Sequence, residues 1–561
     1  MTATLPDELL PIAPAPADPR ADALMVPMRD GVRLATDIYL PDPPVRRAPV
    51  VLVRLPYDKC GRYTFMPEIA RYLNAHGFAA VVQDVRGKFR SEGRAYPFAN
   101  EAADGSDTLD WIISQSWSDG TVGMLGDSYY GFTQWAAAAT GHPALRAIVP
   151  RVTGSHFLEE LHPRRVPKIP LYEWVVHTFA ANDMYEPPVL SQKPVGGLEI
   201  IPEPLAHMRD TICELVEQTG SGELARRAFP GGAPARRLAI PALHTGGWFD
   251  NLQKWQLDDW RTSAATAPAA AHQFLRMNVT DHEDFLLLED GRAPSDHEVD
   301  DDALRVYLPR LLDEPIGFLR HYLAGRDGAW AAPRVRYRVA YAGWEVADRW
   351  APDLTAVRTL HCADGAAALR DADGGALTQR PEGTATRVAW VHDPQDPVPY
   401  SIASEWGMCA GLPDESVVHG RRDVATFTTA AQDAPCDLLG PAHVELTIAA
   451  ESPTTHVIAR LLDVAPDGSA RFVLEGAALV ETGGEPARAR VRLGDTAYRV
   501  RPGHRLRLAI STSSFPQYLV HPGTGESPLT ASESRAARQW LTVGGTAGAR
   551  LELTVHTGMP R

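Results

Sequence analysis

A serine set between two glycines, in Val122-Gly123-Met124-Leu125-Gly126-Asp127-Ser128-Tyr129-Tyr130-Gly131, is the part of this chain best suited to covalent chemistry. A free serine hydroxyl is a weak nucleophile, so it must be held rigidly where a base can take its proton as it attacks. The spacing is G-x-S-x-x-G rather than the commoner G-x-S-x-G, and it separates a short apolar strand from an Ala-rich helix. Such a turn projects Ser128 outward at the head of a helix and aims the Tyr129 amide N–H at the place where negative charge develops on a substrate oxygen.

The nucleophile needs a base and a group to orient that base. In doubly wound hydrolases these follow in the order Ser, Asp, His at the ends of later strands. Asp250 closes the loop Gly246-Gly247-Trp248-Phe249-Asp250, and His282 lies in Thr280-Asp281-His282-Glu283, each just past a strand pattern. Asp250 would accept a hydrogen bond from one imidazole nitrogen and leave the other to deprotonate Ser128. Asp250 also suits a loop cap. His297 and His272 are rival bases, but the first lies deeper in a loop and the second precedes its strand.

The elements that must position these residues alternate in the first third of the chain. Strand patterns at 49–54, 79–83, 122–125 and 147–150 are separated by helical periodicity at 68–75 and 101–114, the pattern of a parallel sheet covered on both faces. From 151 to 236 aromatic and charged helical stretches, including 171–179 and 205–218, replace strand alternation and read as an inserted helical cap. The sheet resumes at 239–245 and 273–279, and 315–323 reads as a closing helix. From 328 onward short alternating segments (335–341, 443–448, 456–462, 489–493, 506–510, 550–555) between Gly, Pro and Asp turns predict an all-β domain.

At 561 residues the chain exceeds what one core supports, so several domains are expected. The expected division is a loose leader at 1–22, an α/β core at 23–150 and 237–327, the cap at 151–236, and the β domain at 328–561. A formal charge of −15, without clustered Lys and Arg, argues against a nucleic-acid partner. The five scattered cysteines lack disulfide or metal spacing, and no apolar run reaches membrane-spanning length. The expectation is a cytoplasmic enzyme that needs no metal or other cofactor, has no membrane partner, and acts on a small-molecule ester or amide, with a homo-oligomer left open.

Further stretches carry a resemblance. The entry Val26-Pro27-Met28-Arg29-Asp30-Gly31, then Arg54-Leu55-Pro56-Tyr57, Asp84-Val85-Arg86-Gly87 with Ser91-Glu92-Gly93, the serine turn, Gly247-Trp248-Phe249-Asp250, Leu462-Asp463-Val464-Ala465-Pro466-Asp467-Gly468 and Ser514-Phe515-Pro516 are its carriers. Taken together they resemble the cocaine esterase and X-prolyl dipeptidyl-peptidase type of serine hydrolase, which includes the α-amino acid ester hydrolases. The resemblance implies an α/β-hydrolase core with a helical cap and a C-terminal jelly-roll, a triad at Ser128, Asp250 and His282, and Tyr57 as the side-chain donor beside the Tyr129 N–H in the oxyanion hole.

Two departures bear on specificity. The exit Met277-Asn278-Val279-Thr280-Asp281 replaces the Gly-Pro-Trp segment often found before the family's histidine. Asn251, Leu252 and Gln253 follow the aspartate where ammonium-binding relatives carry acids, so no strong demand for a free α-amino group is expected. Cap aromatics Tyr172, Trp174 and Phe179, with Trp248, Trp406 and Met408, suit an apolar acyl pocket and equally a core. The expected function is ester or amide cleavage through an acyl-enzyme. Acyl transfer or cyclisation on the same intermediate, X-prolyl peptidase action, and ligand binding with a vestigial triad are the alternatives.

Overall fold

The computed structural model describes residues 13–41, 46–61, 63–156, 159, 161–181, 190–201, 206–217, 222–287, 301–324, 330–370 and 373–558. An antiparallel pair, β1 (Asp22–Pro27) and β2 (Arg33–Tyr39), leads into β3 (Ala48–Leu55), α1 (Met66–Ala75) and β4 (Ala79–Asp84). Then come α2 (Glu101–Ser114), β5 (Ser118–Asp127), α3 (Ser128–Ala139) and β6 (Leu145–Arg151). Strands β3, β4, β5 and β6 run parallel to one another, β4 pairs on its outer side with β2 in the antiparallel sense, and every residue of β4 is buried. A sheet covered by helices on both faces selects such unbroken apolar runs instead of alternation.

The cap follows as α4 (Ile169–Val176), a π-helical turn (His177–Ala181), α5 (Ala206–Glu217), α6 (Glu223–Ala228) and α7 (Pro234–Arg237). The sheet resumes with β7 (Ala242–Gly247), α8 (Gln253–Thr266), β8 (Gln273–Asn278) and α9 (Asp301–Leu323). Helix α9 begins 14 residues before the predicted closing helix, because it continues through Pro309 and Pro315 and buries Leu304, Leu308 and Leu312 along one face. A proline read as a helix start is here inside a longer one.

The strand expected at 335–341 to open the all-β region lies instead on the first sheet. Val335–Val339 (β9) runs parallel to β8, hairpins into Gly343–Ala347 (β10), and completes a ten-stranded order β1-β2-β4-β3-β5-β6-β7-β8-β9-β10. Alternate residues Val335, Tyr337 and Val339 point into the β domain's core, which accounts for the period-2 pattern. The remaining strands form an eleven-stranded sheet whose longest pairing joins Cys436–Ala450 to Ala487–Val500.

Its core takes in Phe249, Trp260, Met277 and Val279 from the α/β unit, whose sheet and helices otherwise form a separate core with the cap. The cap is sewn to the β domain as well: Ile169 N–H donates to Gln517 O, Leu519 N–H to Pro167 O, and Gly196 N–H to Pro528 O.

Residues 1–12 of the expected leader lie outside the described residues. The rest of it is tied down: the Ala15 amide donates to the Asp58 carboxylate, Asp18 is buried and paired with Arg20, and Asp22 already belongs to β1. All five cysteines are free thiols. Among the described residues no helix is long and apolar enough to cross a membrane, and no group of three or more His, Cys, Asp or Glu is placed to hold a metal ion.

Candidate active site

Ser128 sits at the junction of β5 and α3 with a φ of 51°. A left-handed conformation in a residue with a Cβ costs on the order of 1–3 kcal/mol and persists only where the surroundings over-determine it. Gly126, at φ 147°, is one such constraint, since a Cβ there would lie 2.2 Å from Tyr130 Cδ2. Gly131 is the other. Its Cβ would lie 2.5 Å from Thr153 Cγ2, so the glycine spacing after the serine is set by the loop that leaves β6.

Tyr129, the second residue of α3, lies in a turn whose backbone N–H groups have no intrahelical acceptor. Its phenol is fixed far from that amide, donating to Glu101 Oε1 at 3.0 Å and accepting from Phe98 N at 2.8 Å. Tyr57, on the loop after β3, has its hydroxyl beside Ser128, and that oxygen accepts from Trp174 Nε1 at 3.0 Å. Burial raises the Tyr57 pKa well above the ordinary phenol range, so the group keeps its proton and remains a donor.

Asp250 and His282 are brought together by two loops that zip side by side. Trp248 N–H donates to Asn278 O and Phe249 N–H to Thr280 O. Gly247 permits the approach, because a Cβ there would lie 2.0 Å from Thr280 O. His282 Nδ1 then meets Asp250 Oδ1 at 2.8 Å, both groups buried. Burial acts to lower the imidazole pKa, but the Asp250 charge and hydrogen bond, with Glu283 and Asp127 behind them, carry it above its ordinary value.

The histidine loop is pinned on its other side by Asp281, which accepts from Glu283 N and Phe285 N within the loop and from Cys409 N of the β domain. Burial pushes the Asp281 carboxyl up to about 8, against the bonds from Cys409 and Phe285 and with the Glu283 and Asp284 charges. Glu283 N–H donates to Trp406 O, and the Trp406 indole packs edge-on against His282 with ring centroids 4.9 Å apart.

Ser128 and Trp406 line one cavity, with Phe98, Tyr129, Phe132, Thr153, Gly154, Leu161, Leu171, Trp174 and Leu252. No charged side chain is among these. Of the aromatic candidates, Trp174 and Trp406 form its wall, whereas Phe179 stands behind it against Trp174 and Tyr129. Trp248 and Met408 do not line the cavity: Trp248 stacks on Trp350 with its indole N–H on Arg338 O, and both residues are buried in the β-domain core. Tyr172 is likewise fully buried.

The residues that replace acids after Asp250 are all committed. Asn251 bonds Glu405, Leu252 faces the cavity, and Gln253 reaches Asp495 O across the domain boundary. His272 lies before β8, at the opposite end from His282, against the Tyr322 hydroxyl. His297 is outside the described residues. Phe98, Phe132, Leu161 and Leu171 were not foreseen as pocket walls; helical periodicity at 171 was the one available signal.

Residues 30–282 match the X-Pro dipeptidyl-peptidase (S15 family) domain, and residues 328–552 match the X-Pro dipeptidyl-peptidase C-terminal non-catalytic domain. Along 90% of its length the chain is 29% identical to cocaine esterase of Rhodococcus sp. (strain MB1 Bresler), over 92% of that protein. The chain is a serine hydrolase that carries both of these domains.

Two solved structures show the fold this S15-type hydrolase adopts. An aminopeptidase from a marine sediment Thaumarchaeota archaeon superposes with a TM-score of 0.77 at 20% identity, covering 99% of each chain. An α-amino acid ester hydrolase superposes with a TM-score of 0.75 at 22% identity, covering 99% of this chain and all of that one. Both span the α/β core with its C-terminal all-β domain.

Proposed function

We propose that this hydrolase cleaves a carboxylic ester with an uncharged, apolar acyl group through an acyl-enzyme on Ser128. The observation that carries the proposal is the 2.8 Å bond between His282 Nδ1 and Asp250 Oδ1, which commits one imidazole nitrogen and leaves Nε2 to act as the base. Nε2 takes the Ser128 proton as Oγ attacks the ester carbonyl carbon, forming a tetrahedral oxyanion. The Tyr57 hydroxyl and the Tyr129 N–H stabilise that oxyanion, a side-chain donor of this kind contributing about 3 kcal/mol. The intermediate collapses as His282 hands its proton to the departing alkoxide, which leaves as the alcohol. A water, deprotonated by the same imidazole, then attacks the acyl-enzyme; collapse returns the proton to Ser128 and releases the acid.

The uncharged cavity supports a neutral acyl group over one bearing a free ammonium, because an ammonium buried there would lack a counter-charge. That weighs against X-prolyl dipeptide release, which needs the substrate's N-terminus bound. The test is intact-mass analysis after exposure to a fluorophosphonate, for wild type and Ser128→Ala, followed by turnover of aryl-acyl, alkyl-acyl and aminoacyl esters. One adduct on wild type, none on the variant, and faster turnover of neutral acyl groups is the expected result. An adduct that survives in Ser128→Ala, or a preference for aminoacyl esters, would overturn it.

A further inference from the structure

We infer that Arg151 is a positioning residue that locks the nucleophile turn and the histidine loop in register, through Asp127 on one side and Asp284 on the other; the inference rests on Ser128 and His282 acting as proposed above. Asp127 and Arg151 are the last residues of the adjacent parallel strands β5 and β6 and stand opposite each other in the sheet. The guanidinium forks onto the Asp127 carboxylate, with Nε 2.7 Å from Oδ1 and Nη2 on Oδ2. Its remaining nitrogen, Nη1, lies 3.6 Å from Asp284 Oδ1.

The two carboxylates belong to the two halves of the reaction. Asp127 directly precedes Ser128, and Asp284 follows His282 by two residues. Asp284 holds a φ of 65° and is closed onto the loop by its own N–H on Asp281 O. Its second oxygen takes Arg310 from α9 at 2.8 Å. The connection therefore runs from the residue beside the nucleophile, through one planar cation, to the loop that carries the base.

A planar fork fixes distance and angle together, which a flexible ammonium does not. The site needs that constraint, since a misplacement of about 1 Å between nucleophile and base costs about a hundredfold in rate. Arg151 also sets the local charge. Facing it are Asp127 from β5, Tyr130 from α3, Tyr307 and Arg310 from α9, and Asp284 from the histidine loop; facing His282 are Asp250, Glu283 and Asp127. With Arg151 removed, the Asp127 carboxylate would act on the imidazole without its partner cation and hold the imidazolium more strongly.

The experiment is a double-mutant cycle on ester turnover with Arg151→Met, Asp284→Asn and the pair, Ser128→Ala serving as the control for the underlying reading. Expected for Arg151→Met is a fall in kcat of about tenfold to a hundredfold with KM within about threefold, the magnitude of a small misalignment. The acid limb of its kcat/KM profile moves to higher pH, a shift that loss of packing alone would not produce. Asp284→Asn lowers kcat in the same direction, and the double variant loses less than the product of the two. Should Arg151→Met fail to fold, Asp284→Asn decides alone, because the Asp284 side chain is partly exposed and the amide keeps its volume. Wild-type kcat in folded Asp284→Asn, or strictly multiplicative losses with an unmoved acid limb, would overturn the inference. If Ser128→Ala stays active, it is the serine mechanism that fails.

Discussion

Trp174 of the cap donates its indole N–H to the hydroxyl oxygen of Tyr57 in the α/β core, at 3.0 Å. This bond occupies a lone pair on the phenol and leaves the hydroxyl's own proton available for donation, on the proposed mechanism to the oxyanion. Cap and core thus cooperate in orienting one donor.

Tyr57→Phe is accordingly expected to lower kcat by about a hundredfold to a thousandfold, the usual loss for one oxyanion donor, with little change in KM. Trp174→Phe keeps the ring and removes only the N–H, so its loss is smaller, about tenfold. Steady-state kinetics on a neutral ester distinguishes these from a packing defect, which would lower thermal stability in parallel.

Activity and the His282 contribution to stability have opposite pH trends. His282 must be neutral to accept a proton, so kcat/KM falls as pH drops through its pKa, which Asp250 holds above the ordinary histidine value. A raised folded-state pKa stabilises the fold fully below the unfolded value, and that increment is lost as pH rises through the folded value. Asp250→Asn should cut kcat by about ten-thousandfold and move the residual acid limb to lower pH. A pH–rate profile of the variant with an unmoved limb would assign the base elsewhere.

Gly247→Ala tests the close passage of the two loops. The added methyl would lie 2.0 Å from the Thr280 carbonyl oxygen, a backbone atom two residues before His282. The loops must part, and a loss of activity of at least about a hundredfold is expected, with a fall in melting temperature. Retention of both would show that the loops separate without consequence.

Acid should weaken the β domain through a buried histidine. His456 is fully buried with neither ring nitrogen hydrogen-bonded, beside His521 with ring centroids 5.1 Å apart. Burial first, then the neighbouring His521 and His392, hold its pKa well below the ordinary value. A depressed folded-state value gives stability that is present above the unfolded pKa, near 6.5, and lost as pH falls toward the folded one. His456→Gln should flatten the decline in melting temperature below that pH. An unchanged slope would place the acid sensitivity elsewhere.

What could be read from the sequence followed the range of the signal. The Ser128 turn was legible because the change from strand to helix and its two glycines lie within ten residues, and the loops of Asp250 and His282 because each follows directly on a strand. The cavity wall was not, since Phe98, Leu161 and Leu171 converge from separate loops and helices, and only tertiary packing brings them together. Trp248 and Met408 mark the same limit from the other side: an aromatic or thioether next to a motif looks the same whether it faces a pocket or fills a core. The α9 helix hid behind Pro309 and Pro315, and β9 behind a strand alternation that is the same for either sheet. Arg151 stands one residue past the strand predicted at 147–150, and its meaning depends on Asp284, 133 positions later.

Trp406 stands on the C-terminal segment, yet it packs on the His282 imidazole and lines the cavity beside Ser128, while Cys409 of the same turn holds the loop that carries His282. Selectivity is therefore not portable with either half of the gene. A chimaera that took residues 1–327 from one relative and the remainder from another would mismatch one wall of this cavity and the brace on the His282 loop in a single crossover, and is expected to inherit neither parent's preference.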